Sequence, residues 1–182
     1  MIVIAIIAII ASIAIPNLLE SRVSAQETSA ATALRSGILP AEVQFQSGGY
    51  VDHDGDGVGS FAVGATAYDL LSGTAATSSG IRLNLLAPMY RGSNPTISNY
   101  VYQNPVCGTS ASDDVERTWA VVNYPTDANN GRRRFACNQS GRVFASIPLQ
   151  NAASSADPLT VAIFDSNLSG LPDSTVWRPY SR

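Results

Sequence analysis

Asp52-His53-Asp54-Gly55-Asp56-Gly57 places carboxylates at alternate positions and follows them with glycine. That spacing matches the first half of an EF-hand loop, where alternate side-chain oxygens ligate Ca2+ and the glycine permits the turn. The second half departs from it: the twelfth position is Val63 in place of a bidentate Glu, and glycines replace the helix signals at the flanks. Asp69 is the carboxylate further along that could complete the set. Three carboxylates this close repel one another unless a cation or water separates them. Two readings therefore stand side by side: Ca2+ held by Asp52, Asp54 and Asp56 in a structural role, or a solvated Asp/Gly turn. His53, the single histidine, is expected to face solvent. One His and two Cys exclude a His-rich metal site and a four-cysteine zinc site. The chain has no G-x-S-x-G, Walker loop, H-E-x-x-H or helix-opening G-x-G-x-x-G. The expectation is a protein that is not an enzyme and requires no cofactor beyond the Ca2+ reading.

The charge balance removes another class. In 182 residues there are 11 basic side chains, all Arg, and 14 acidic ones, for a net charge of −3. A nucleic-acid partner would call for a basic face, and none is predicted. The concentrated positive run, Arg132-Arg133-Arg134, reads as a solvated hairpin edge.

Polarity is distributed unevenly. Residues 1–15 carry no charge, and Ser12 is their one polar side chain. As a helix those 15 residues reach about 22 Å, short of the ~30 Å hydrocarbon core. A cleaved signal peptide would open with a positive region, but nothing basic precedes Arg22. A helix apolar all round would need a larger protein to bury it. The remaining reading is a membrane helix with further turns upstream of Met1. Its details suit close packing in lipid. Ala5, Ala8, Ala11 and Ala14 recur every third residue, and Ala8 and Ser12 form a small-xxx-small pair. Pro16 lacks an N–H and crowds the Ser12 carbonyl, so a kink or opening is expected between Ala8 and Pro16.

The run from Met1 through Ile15-Pro16-Asn17-Leu18-Leu19 resembles the N-terminal helix of type IV pilins and type II secretion pseudopilins. The match is dense over residues 1–23 and looser through Leu34-Arg35 to Gly48-Gly49-Tyr50. The family's leader, glycine cleavage site, N-methylated aromatic and nearby Glu have no counterpart here, and Met1 aligns several residues inside the mature helix. The resemblance implies an α+β fold, with a long N-terminal helix packed on a small antiparallel sheet. It also implies assembly through the apolar helix, with Ile2, Ala5, Ala8, Ser12, Ile15 and Pro16 as the residues that carry it. Implied partners are further copies of the chain, the inner membrane before assembly, a prepilin peptidase, an assembly ATPase and a platform protein. The implied location is the inner membrane as a precursor, then an extracellular filament.

The rest of the sequence fits that layout. Leu34, Ile38, Ala41 and Phe45 follow at spacings of 4, 3 and 4, a stripe that packs a helix on its own sheet. Gly37 and Pro40 should bend or split that helix. The division expected is a helix over 1–46 and a globular head over 47–182. Within the head a short helix is expected at Ala67–Leu71. Strands are expected at Ile97–Gln103, Thr118–Tyr124, Arg133–Asn138, Arg142–Ile147 and Leu159–Asp165. Trp119, Val121, Phe135 and Phe144 are the inward anchors, while Trp177, Pro179 and Tyr180 pin the terminus. In an exported protein Cys107 and Cys137 most simply form one disulfide, worth about 3–4 kcal/mol on the chain-entropy estimate; two free buried thiols are the alternative.

The functional expectation is a structural pilin-like subunit of a surface filament. A type II secretion pseudopilin is the near alternative. A membrane-anchored Ca2+-dependent binding module that never polymerises is the alternative from another class.

Overall fold

The computed structural model describes residues 2–52, 55–64, 66–103, 112–127, 129–146 and 177–180. Its spine is a helical run from Ile2 to Ser47. The first part, α1 (Ile2–Ala33), continues through Pro16 without losing its helical state, so the opening expected upstream of that proline is absent. Pro16 removes a single N–H, opposite the Ser12 carbonyl, and the turns on either side keep their own bonds. The Ser12 hydroxyl donates to the Ile9 carbonyl at 2.8 Å.

The fault expected at Gly37–Pro40 takes a different form. Leu34–Ile38 widens into a π turn, with the Leu39 N–H bonded to the Leu34 carbonyl. Pro40 cannot donate to Ser36, and the wider turn absorbs that loss without splitting the run. Pro40 itself lies in the first turn of α2 (Leu39–Ser47), where a missing N–H costs little. Leu34, Ile38, Ala41 and Phe45 are all buried, as their spacing requires. Glu42 shares that buried face.

Two short helices follow, α3 (Ala67–Leu71) and α4 (Ser112–Arg117). The sheet is an antiparallel meander in chain order: β1 (Thr96–Ile97), β2 (Tyr100–Gln103), β3 (Ala120–Pro125), β4 (Phe135–Asn138), β5 (Val143–Ser146) and β6 (Trp177–Pro179). The strand expected over Ile97–Gln103 is instead a hairpin. Ser98 and Asn99 adopt φ of 52° and 64°, and Ile97 pairs with Tyr100 across that two-residue turn.

Alternation along the strands sorts the core into two faces. Tyr100, Tyr102, Val121, Phe135 and Cys137 join Leu34, Ile38 and Phe45 of the helical spine. Ala120, Val122, Ala136, Phe144 and Trp177 form a second cluster, so Phe144 anchors the face opposite to Trp119, Val121 and Phe135. Asn123 joins helix to sheet: its Nδ2 donates to the Ala30 carbonyl at 3.2 Å, and its Oδ1 accepts the Phe135 N–H at 3.1 Å.

The C-terminal strand pins the chain end as expected. Ser146 pairs with Trp177, the Tyr180 N–H bonds the Val143 carbonyl, and the Tyr180 ring stands edge-on to Phe135 at 5.1 Å. The strand expected at Leu159–Asp165 and Cys107 lie outside the described residues.

Candidate functional site

The first candidate is the protruding half of α1. Every Ile and Leu from Ile2 to Leu19 is 52–79 % exposed. The helix contains an 18-residue window of mean hydropathy 2.7, none of it buried. By length and composition it can cross a membrane, or serve as a membrane anchor or a signal. Ile2, Ala5, Ala8, Ser12, Ile15 and Pro16 fall within an arc of about 140° on that helix, taking about 100° per residue. They therefore share one face, with small side chains at its centre and larger ones at its ends.

The second candidate is acidic. Asp52 and Asp56 are exposed in the loop that leaves α2. Their carboxylate oxygens and one from Glu116 lie within 4.8 Å of one another. Glu116 sits on α4 and is buried. Gln46 holds that segment against the end of α2, its Nε2 donating to the Glu116 carbonyl at 2.7 Å. The loop is shaped by its own carboxylates. Asp52 accepts the N–H groups of Gly55 and Gly57 at 2.7 and 3.0 Å, and Asp56 accepts that of Val58 at 2.7 Å. Gly59 must remain a glycine, because a Cβ there would meet the Gln46 carbonyl.

Three convergent carboxylates at this spacing are an oxygen donor set of the kind a hard divalent cation takes. His53 and Asp54 lie outside the described residues. Asp69 does not belong to this group. Its Oδ1 accepts the Gly92 N–H at 2.8 Å and ties α3 to the segment before β1. Glu116 is the member that sequence reasoning missed. It stands some sixty residues downstream, in a helix with too few residues to show a period.

The interior holds a carboxylate of its own. Glu42 is 0 % exposed, and its Oε2 accepts the Ala62 N–H at 3.0 Å. Among the described residues, which do not include Cys107, Cys137 on β4 is buried and makes no disulfide. Burial, and then the Glu42 charge, push its pKa well above the ordinary thiol value. Burial likewise raises the phenols of Tyr68, Tyr90, Tyr100 and Tyr102. The Tyr90 ring lies 6.4 Å from that of Tyr68 and 5.6 Å from that of Tyr102.

The arginine run is not a uniformly solvated edge. Arg132 is exposed, Arg133 is half-buried, and Arg134 is buried with its N–H on the Ser146 hydroxyl at 3.0 Å. Alternation on the approach to β4 turns successive side chains to different surroundings. Arg132 and Arg133 close a groove of about 290 Å³ against Glu20, Val23, Ser24 and Glu27 of α1. The Arg132 N–H donates to Glu27 at 2.9 Å, and its guanidinium lies 3.9 Å from Glu20.

Compared with family models, curated proteins and solved structures, the chain matches none of them. The long apolar helix and antiparallel sheet are compatible with a pilin-like fold.

Proposed function

We propose that this chain is a structural subunit of a type IV pilin-like surface filament. The observation that carries the reading is the division of one helical run into two environments. From Ala30 onward the run lays buried side chains on the sheet; from Ile2 to Leu19 its large apolar side chains are bare. A bare apolar helix is unfavourable in water and needs either lipid or other apolar helices around it. The subunit first rests in the inner membrane and then passes into a bundle of identical helices, with the heads outside. Little hydrophobic energy separates those two surroundings, so close packing of the face bearing Ala5, Ala8 and Ser12 favours the bundle. The resemblance supplies the expected machinery: a prepilin peptidase, an assembly ATPase and a platform protein. A secretion pseudopilin would use the same helix.

The carboxylates of Asp52, Asp56 and Glu116 favour a second reading, a membrane-anchored module that binds its ligand with Ca2+ and never polymerises. A charge in the helix tests the first reading. In Ile9→Lys the head keeps its far-ultraviolet spectrum, while membrane retention falls and sheared filaments disappear. Filaments formed at wild-type level by Ile9→Lys would contradict assembly through this helix.

A further inference from the structure

A groove of mixed charge opens where the bare helix enters the head. Glu20 is the first charged side chain after the apolar run, and Leu18 and Leu19 just before it are exposed. As a helix Ile2–Leu19 rises about 27 Å, close to the ~30 Å hydrocarbon core. When that helix crosses a membrane, the turns that follow fall in the headgroup layer. Those turns carry Glu20, Val23, Ser24 and Glu27 on one wall of the groove, and Arg132 and Arg133 close the other.

Two carboxylates and two guanidiniums give the groove no net charge, so it favours neither a simple anion nor a simple cation. The charges do not all cancel in pairs. Arg132 lies 3.9 Å from Glu20, with both side chains largely exposed. Glu27 and Arg133 line the same groove half-buried, and neither makes an ion pair among the described residues. The loop between them is held in place. Glu27 Oε1 accepts the Arg132 N–H at 2.9 Å, and the Tyr100 hydroxyl donates to the Arg133 carbonyl at 3.1 Å. Gly131 packs so closely on the Tyr100 hydroxyl that a Cβ has no room. One carboxylate and one guanidinium are thus fixed on one cavity without pairing, which suits a ligand that carries both signs itself.

We propose that this groove binds the zwitterionic headgroup of a phospholipid bearing a primary ammonium, with its phosphate on Arg133 and its ammonium on Glu27. The inference rests on the membrane stage of the reading above. A guanidinium meets phosphate oxygens through parallel N–H donors, and an ammonium donates to a carboxylate. The acyl chains then run along exposed Leu18 and Leu19. A quaternary ammonium has no N–H for Glu27, and a glycerol headgroup brings no positive charge to it, so the groove discriminates among phospholipids. One lipid held there fixes how the head stands on the bilayer before assembly.

The test uses the full chain in a non-ionic detergent with short-chain phosphatidylethanolamine, phosphatidylcholine or phosphatidylglycerol added. Native mass spectrometry reads the fraction that retains one lipid. Wild type is expected to retain phosphatidylethanolamine about tenfold better than the other two, the factor that one charge-assisted hydrogen bond supplies. Glu27→Gln keeps an acceptor for the Arg132 N–H and should bring phosphatidylethanolamine down to the level of phosphatidylcholine. That selective loss cannot come from a misfolded head. Arg133→Gln should lower retention of all three lipids. Equal retention of the three by wild type, or a preference that survives both substitutions, would overturn this site. Phosphoethanolamine without acyl chains displacing the lipid at equal concentration would overturn the lipid as the ligand's source. Flotation of the wild-type chain with phosphatidylcholine vesicles reads the membrane stage separately, and a chain left in the aqueous fraction would overturn that reading instead.

Discussion

Glu42 shows how much of the head depends on one buried side chain. Its carboxylate supplies the acceptor for the Ala62 N–H, joining α2 to the loop that leads into α3. Glu42→Ala should remove that buried acceptor and cost about 1–3 kcal/mol, read as a lower midpoint in chemical denaturation. A midpoint equal to wild type would show that water replaces the carboxylate. The acidic loop makes a separate prediction. If Asp52, Asp56 and Glu116 hold Ca2+, the ion at about 100 times its Kd should add ~2.7 kcal/mol of stability. The paired change Asp52→Asn with Asp56→Asn should abolish that gain in a thermal melt. A melt that Ca2+ leaves unmoved would leave the loop as a solvated turn. The tyrosines set behaviour in base. Burial raises the phenols of Tyr68, Tyr90, Tyr100 and Tyr102 above their ordinary 10.0. Above that pH the unfolded chain loses protons that the folded head keeps, so their contribution is intact below about pH 10 and falls as pH rises further. With Tyr50, Tyr124 and Tyr180 replaced by Phe, phenolate absorbance should appear together with unfolding; a separate titration near pH 10 in a folded head of that variant would contradict the burial. The sequence exposed Asp52, Asp54 and Asp56 because alternation is local. It hid Glu116 and Glu42, whose positions depend on contacts made far along the chain.

The helical run is the element most legible in the sequence, because both of its demands are written in local pattern. Leu34, Ile38, Ala41 and Phe45 announce the buried stripe, and residues 2–15 announce a segment that water does not favour. The consequences of its prolines were less legible. Pro16 leaves the helix unbroken, and Pro40 is absorbed by a π turn, since a long helix can lose one hydrogen bond without parting. The sheet was readable where turn chemistry and alternation coincide, at β4 and β5. It misled where Ser98 and Asn99 adopt positive φ, a conformation their residue types permit without requiring. Short α4 gave no periodic signal. The exposed half of α1 carries a prediction at this scale. Ala8→Phe increases apolar area but obstructs close approach on the face shared with Ala5 and Ser12. Membrane retention should stay at wild-type level while filaments are lost. Unchanged filament yield would show that this face does not pack against a neighbour.

For the whole molecule, one sequence must suit two surroundings. The head buries Tyr68, Tyr100, Tyr102, Trp119 and Phe135 in one core with the helical run. The protruding helix needs an apolar partner that a single copy in water cannot provide. On the proposed reading, membrane first and filament afterwards satisfies both demands with one helix. The most direct measurement is cryo-electron microscopy, with helical reconstruction, of appendages sheared from cells that make this protein. The account predicts filaments whose core is packed helices fitting Ile2–Ser47, with the six-stranded heads tiling the outside. Finding the protein only as dispersed monomers in the membrane fraction would contradict it.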